Sequence, residues 1–438
     1  MSSRYDFAGK RIAVVGLGPN GEMAADAAFL AKMNAMVSVY DMRSEARVHS
    51  VMAYVRSFGL ANHMTGSVPA DELSDMDMIV LSHEYEAGAT FLSVAKKKGV
   101  PIERPETLLL RSAPPVTVVA VMGDCGKSTV VSMLYPMISA ACAAEGNQSC
   151  YAIDPDMPGG SIAHLKRLKS GDVVVMRLPG SMLPELRTLG WSPQIAVFAS
   201  MPKTSGRSEP FDILDNQTYN NCIIGDDSVI DAVKDSAKKP KAKMLRTKPS
   251  LVPENWALKG RGDHDRRNAA IALQTARLFK VTDEAAEKAL SAWRPLKGRL
   301  EPVKKVRGVD FYNDSASVSP AATIAGMEAL SKEKDLIVVI GGADSGEDYK
   351  PLYAALPQHA HTLVVIPGSG TLKERQALRA LDGLAVLSVP SVEEAVRTAM
   401  DHAKKGDKVL FSPAFPAVGI DASRLERGER FVRAVRGL

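Results

Sequence analysis

Residues 116–129 read VTVVAVMGDCGKST, an apolar run that leads into a glycine-rich turn. This pattern predicts a buried strand, a tight turn and a helix from Ser128 to Ala140. Glycines in such a turn let backbone N–H groups face inward, Lys127 adds positive charge, and the Ser128 hydroxyl can reach a magnesium ion. The sequence therefore predicts nucleotide or phosphate binding by Gly123, Asp124, Cys125, Gly126, Lys127, Ser128 and Thr129. A turn that binds nothing is the alternative, but the flanking strand and helix favour phosphate binding.

A second glycine turn, GLGPNG at residues 16–21, follows an apolar strand at residues 10–15. Asp41 ends the next apolar segment, about 20 positions after the glycines, as in dinucleotide-binding units. A carboxylate there can accept hydrogen bonds from a ribose or uracil, and Arg43 can hold phosphate. The same pattern also marks simple close packing of a helix on a strand, so both interpretations stay open.

Alternating strand and helix patterns divide the chain into three α/β units. Prolines interrupt the pattern near residues 112–115 and again near 295–299. We therefore predict an N-terminal Rossmann-like domain at 1–112, a central phosphate-loop domain at 113–295 and a C-terminal Rossmann-like domain at 296–438.

Composition narrows the class of protein. The 438 residues are 45% hydrophobic and 24% charged, with a net charge of +5 and no apolar run long enough to span a membrane. These features favour a cytoplasmic α/β protein without a membrane span or a nucleic-acid partner, and we expect a monomer. The four cysteines lack metal-ligand spacing, so reduced thiols are expected.

Further motifs follow in a fixed order: GDHDRRNA at 262–269, GRLE at 298–301, YNDS at 312–315, GG at 341–342, SPA at 412–414 and ERGE at 426–429. Together with the two glycine turns, this series resembles the muramyl (Mur) ligase family, nearest the D-glutamate-adding type, along essentially the whole chain. The resemblance implies ATP-dependent joining of an amino acid to a UDP-muramyl carboxylate in peptidoglycan synthesis. In that family the ligase phosphorylates the carboxylate and an amine attacks the acyl phosphate.

The resemblance also implies roles for particular residues. A UDP-sugar peptide would meet the first glycine turn, and ATP would occupy the second. The residues implied for the UDP-substrate are Gly16, Leu17, Gly18, Asp41 and Arg43. Those implied for ATP, besides residues 123–129, are His264, Asp265, Arg299 and Asp314.

Several positions depart from the family pattern at the reaction centre. Arg177 stands where the resemblance implies a magnesium-binding acid, Thr204 where it implies a histidine, and Pro210 where it implies a carbamylated lysine. Ala316 replaces a lysine and Val418 a substrate-contacting serine. Of the replacements only Thr204 could bind a metal, and weakly, so Ser128 is at most the remaining metal ligand and Mg²⁺ binding is doubtful; the Arg177 guanidinium would be a fixed cation in its place.

Three hypotheses follow from the sequence. The first is a pseudoenzyme, which binds a nucleotide, has lost or much reduced ligation and serves a protein partner. The second is an active ATP-dependent amide ligase acting on a UDP-muramyl or other nucleotide-linked carboxylate. A dehydrogenase that uses the first glycine turn is disfavoured, because no hydride-transfer residues accompany it.

Overall fold

The computed structural model describes residues 6–18, 21–155, 159–202, 211–236, 238–258, 262–417 and 424–438. They form α-helices and three mainly parallel sheets, so the predicted α/β class is confirmed. The chain divides into two compact units, Met1–Leu251 with Ala270–Ala286, and Val252–Ala269 with Glu287–Leu438. The predicted domain boundaries stay predictions.

The first sheet has the order β3-β2-β1-β4-β5, and its strands are all parallel. The strands are β1 (Arg11–Val15), β2 (Met36–Asp41), β3 (Asn62–Thr65), β4 (Met78–Leu81) and β5 (Ile102–Glu103). The helices among them are α1 (Ala24–Lys32), α2 (Glu45–Arg56), α3 (Ala70–Leu73), α4 (Ser93–Lys97) and α5 (Pro105–Ser112). The inner strands are buried on both faces, which explains their uninterrupted apolar sequences.

The second sheet is parallel throughout and has the order β11-β10-β9-β6-β8-β7. Its strands are β6 (Thr117–Met122), β7 (Cys150–Ile153), β8 (Val173–Arg177), β9 (Ile195–Phe198), β10 (Cys222–Gly225) and β11 (Lys243–Arg246). The helices are α6 (Lys127–Glu145), α7 (Leu183–Thr188), α8 (Asp227–Asp235), α9 (Asp263–Arg277) and α10 (Asp283–Ala292). Because β6 lies between β9 and β8, the residues that follow these three strands meet at one edge of the sheet.

The third sheet has the order β12-β13-β17-β14-β15-β16, and only the β12–β13 pair is antiparallel. Its strands are β12 (Glu301–Val306), β13 (Val309–Asn313), β14 (Leu336–Gly341), β15 (Ala360–Ile366), β16 (Ala385–Ser388) and β17 (Lys408–Phe411). The helices are α11 (Pro320–Leu330), α12 (Lys350–His359), α13 (Ser369–Lys373), α14 (Arg375–Arg379), α15 (Val392–His402) and α16 (Arg424–Arg436). In the described parts of the chain, no helix is both long enough and apolar enough to cross a membrane.

Candidate nucleotide site

The turn at residues 123–129 joins β6 to the N-terminus of α6, as predicted. Gly123 has φ +119°, and a Cβ atom there would lie 2.6 Å from the carbonyl oxygen of Ser200. Gly126 is left-handed (φ +81°) and precedes the first residue of α6. Both positions therefore require glycine, and the turn brings the helix N-terminus to the edge of the sheet, where anions bind readily.

Charged and hydroxyl groups of the turn are placed for phosphate. The Lys127 ammonium donates to the carbonyl oxygens of Gly123 and Asp124, both at 2.7 Å, so it lies over the turn. Ser128 and Thr129 are nearly buried in the first turn of α6. This geometry suits a nucleotide phosphate, with Lys127 as its counter-charge.

Ser200 contacts the turn from the neighbouring strand. It lies two residues after β9, where its hydroxyl accepts a hydrogen bond from the Cys125 N–H at 3.0 Å and donates to the Cys125 carbonyl at 3.2 Å. The sequence did not single out this residue. Its only signal was its place just after an apolar strand, which becomes informative once β9 is known to lie beside β6.

Arg177 ends β8 and lies in register with Val121 of β6, two residues before the turn. Its Nε lies 2.5 Å from Oδ1 of Asp154, the residue after β7. The two side chains are only 7% and 12% exposed, so this is a nearly buried ion pair. The structure thus pairs the end of β8 with the strand that leads into the turn at residues 123–129, and it adds a carboxylate partner of Arg177 that the sequence did not indicate.

Three other residues predicted at the reaction centre, Thr204, Pro210 and Val418, lie outside the described residues. Ala316 follows β13 and donates its N–H to the Gly298 carbonyl at 2.9 Å. Among the described residues, no three His, Cys, Asp or Glu side chains converge as a metal site would require.

The first glycine turn brings its predicted residues together. Asp41, at the end of β2, accepts the Leu17 N–H at 2.9 Å and three hydrogen bonds from Arg43: one from its backbone N–H at 2.9 Å and two from its guanidinium at 2.9 and 2.6 Å. Burial alone would raise the pKa of Asp41, but these donors outweigh it and lower the pKa below its ordinary value. Asp41 is therefore a carboxylate whose hydrogen bonds hold Leu17 of the first glycine turn and Arg43 in place.

Two side chains from the segment after β4 cover this turn. Glu84 accepts the Gly18 N–H at 3.3 Å, and its carboxylate lies 3.8 Å from the Arg43 guanidinium. The Tyr85 hydroxyl accepts the Met42 N–H at 3.4 Å. Burial raises the pKa of Glu84, whose side chain is 23% exposed. The sequence did not indicate Glu84, since nothing local shows that this segment folds over the glycines.

A cavity of about 230 Å³ adjoins this turn, between the first and second sheets. His83 and several acidic side chains line it: Glu22, Asp26, Glu84, Glu106 and Asp154. Asp26 accepts the Ser161 and Ala163 N–H groups, both at 3.1 Å, and burial raises its pKa to about 7. Burial would raise the pKa of Glu106 too, but His83 and the Ser161 hydroxyl lower it. Apart from His83, the titratable side chains that line the cavity are therefore all acids.

The other predicted nucleotide-binding residues belong to the second compact unit. His264 and Asp265 begin α9, with His264 Nε2 lying 3.7 Å from Asp265 Oδ1, and the Arg299 N–H donates to the Leu296 carbonyl at 3.0 Å. Asp314 is buried, and it accepts the Leu300 N–H at 3.1 Å and the Ser412 hydroxyl at 2.8 Å. Burial raises its pKa to about 6. Asp314 thus links the segments before β12 and after β17 by hydrogen bonds. Its predicted role at a ribose stays a prediction.

The chain is similar to known Mur ligases in sequence. Residues 298–415 match the family described as Mur ligase, glutamate ligase domain. UDP-N-acetylmuramoylalanine–D-glutamate ligases are similar over the whole chain: that of Koribacter versatilis is 27% identical over 98% of both chains, and that of Streptococcus sanguinis 26% identical over 100% of both.

Solved structures of Mur ligases share the fold. UDP-N-acetylmuramate-alanine ligase from Thermotoga maritima superposes with a TM-score of 0.61 at 16% identity, covering 98% of this chain and 99% of that one. MurF ligase from the same organism, in complex with ADP, has a TM-score of 0.55 at 16% identity and covers 92% and 95%. The resemblance predicted from the sequence is confirmed: the chain is similar along its whole length to UDP-N-acetylmuramoylalanine–D-glutamate ligases, and residues 298–415 match the Mur ligase, glutamate ligase domain.

Proposed function

We propose that this chain is a cytoplasmic ATP-binding protein of the UDP-N-acetylmuramoylalanine–D-glutamate ligase type whose ligase activity is lost or much reduced. Its similarity to ligases of that name supports a place in peptidoglycan precursor synthesis. The ADP complex of the MurF ligase supports ATP as the nucleotide. A cytoplasmic location fits a protein that draws on ATP.

ATP binding rests on the turn at residues 123–129. Lys127 would exchange its two carbonyl contacts for phosphate oxygens, and the Ser128 hydroxyl is the side chain of the turn that could face a metal ion. The N-terminus of α6 adds partial positive charge. These groups bind phosphate without help from Arg177.

Loss of ligation rests on the ion pair between Arg177 and Asp154. In ligases of this family an acid at the position of Arg177 helps to hold magnesium, whereas a guanidinium repels a cation. The nearby acid, Asp154, cannot take over the role while its carboxylate is paired with that guanidinium. A catalytic Mg²⁺ contributes several kcal/mol, and each 1.4 kcal/mol is tenfold in rate, so we expect ligation to be slower by about 10²-fold or more.

The competing function is an active amide ligase, favoured by the whole-length similarity to ligases and by the complete Gly-Lys-Ser-Thr turn. Both functions predict ATP binding, so binding alone cannot separate them. They differ in turnover, because only the ligase couples ATP cleavage to the joining of an acid and an amine.

Phosphate release separates the two functions. Purified protein is given ATP, UDP-N-acetylmuramoyl-L-alanine and D-glutamate, with and without Mg²⁺, and Lys127→Ala serves as the control that has lost its phosphate counter-charge. We expect wild type to bind ATP by calorimetry and to release phosphate at least about 10²-fold more slowly than an ordinary ligase, so that its rate lies close to that of Lys127→Ala. Magnesium-dependent turnover at ordinary ligase rates, roughly 1 s⁻¹ or more, would reject the proposal.

A further inference from the structure

The two glycine turns of the first compact unit have opposite surroundings. The side chains against the second turn are the Lys127 ammonium and the Ser200 hydroxyl, both able to donate to a phosphate. The charged side chains that approach Gly16 and Gly18 of the first turn are the carboxylates of Glu84 and Glu22, and Tyr85 and Ser82 also lie against Gly16. Backbone N–H groups of a glycine turn are a site for anions, so the first turn is already occupied by an anion of the protein itself.

The carboxylate of Glu84 fills the space that an incoming anion would need. Its Oε1 accepts the Gly18 N–H at 3.3 Å, and a Cβ atom on Gly16 would lie only 2.6 Å from the same oxygen. Glu22 packs on the other side, where a Cβ atom on Gly18 would lie 2.0 Å from its Oε2. An external phosphate cannot reach the Gly18 N–H unless Glu84 withdraws.

The charge balance opposes an external anion as well. The Arg43 guanidinium makes two hydrogen bonds to Asp41 and lies 3.8 Å from Glu84, so one guanidinium faces two carboxylates. Like charges this close together near a protein surface repel each other. A diphosphate that entered beside Arg43 would meet more negative than positive charge.

From these contacts we propose that Glu84 is a selectivity residue of the first glycine turn, which weakens the binding of nucleoside diphosphates there. The inference rests on the proposed function in one respect, namely that this turn is where a UDP-linked substrate would bind. It also gives a reason for slow ligation that is independent of Arg177, because the UDP-linked acid substrate would bind weakly.

The test is calorimetric titration of the full chain with UDP and with UDP-N-acetylmuramoyl-L-alanine. The variants are Glu84→Gln, which keeps the size and an acceptor oxygen but removes the charge, and Glu84→Ala, which also empties the space. Glu86→Gln is the matched control, since Glu86 lies two residues away, is exposed and loses the same charge. Each protein is also titrated with ATP, and its melting temperature is measured to confirm that it folds.

We expect both Glu84 variants to bind UDP at least tenfold more tightly than wild type, while Glu86→Gln changes the affinity by less than about twofold. ATP affinity should be the same in all four proteins. Equal UDP affinity in wild type and both Glu84 variants, or no UDP binding by any of them, would overturn the inference and leave ATP binding standing. Failure of wild type to bind ATP would instead overturn the proposed function alone.

Discussion

Replacing Arg177 by glutamate tests the ion pair at the end of β8. The Arg177 and Asp154 side chains are only 7% and 12% exposed. Breaking a buried pair by removing one partner costs about 3–5 kcal/mol. Arg177→Glu also sets a second carboxylate near Asp154, and their repulsion, about 4 kcal/mol at 4 Å, is limited by protonation of one of them. We expect the free energy of unfolding to fall by at least about 3 kcal/mol in EDTA.

Magnesium should restore part of that loss, because two adjacent carboxylates form a site for a divalent cation. A ligand at 100 times its Kd stabilises the folded state by about 2.7 kcal/mol. Urea unfolding of wild type and Arg177→Glu, in EDTA and in excess MgCl₂, measures both effects. Arg177→Met is the matched control, since it breaks the pair without adding a carboxylate. Equal stability of wild type and Arg177→Glu in EDTA would refute the reasoning, as would an equal magnesium gain in Arg177→Met.

Three further predictions concern the first compact unit. Gly123→Ala should abolish ATP binding in calorimetry, since its Cβ would strike backbone atoms, whereas Gly146→Ala, with nothing within 4 Å, should keep the ATP affinity and lose about 1 kcal/mol of stability. Asp26, with a pKa of about 7, keeps a proton that the unfolded chain releases near pH 4, so its stabilising effect is lost as the pH rises through 7. Between about pH 5 and pH 8, the unfolding free energy of Asp26→Asn should therefore fall by about 2–3 kcal/mol less than that of wild type. An equal fall in the two proteins would contradict this. Arg104→Met leaves Glu185 without its guanidinium and should lower the unfolding free energy by about 2–4 kcal/mol in urea titration, while exposed Arg397→Met should change it by less than about 1 kcal/mol.

Local patterns were enough to predict the phosphate turn. Its strand, glycines and helix are contiguous, and the observed β6 and α6 begin within one residue of the predicted bounds. The end of β8 can be predicted equally well from the sequence, because an apolar run that stops at a charged residue marks a strand end. Fold class and the positions of residues 123–129 and Arg177 therefore follow from short-range sequence.

Partners across the sheet could not be predicted in this way. Asp154, Ser200 and Glu84 lie 23, 75 and 66 positions from the residues they contact, and only the strand order brings them together. The edge strand β12 also lacks a clear local signal. β12 is mostly exposed and contains Pro302, so it lacks the continuous apolar run of a buried strand.

The magnesium dependence of ATP binding by wild type decides whether the Arg177–Asp154 pair has replaced the metal. Calorimetric titration with ATP in EDTA and in excess MgCl₂ gives the two affinities, with no substrate or variant needed. If the Arg177 guanidinium, paired with Asp154, occupies the place of the magnesium ion, the ATP affinities in EDTA and in MgCl₂ should agree within about threefold. Tightening by tenfold or more on addition of Mg²⁺ would contradict the account, because it would show a functional metal site beside the phosphate turn.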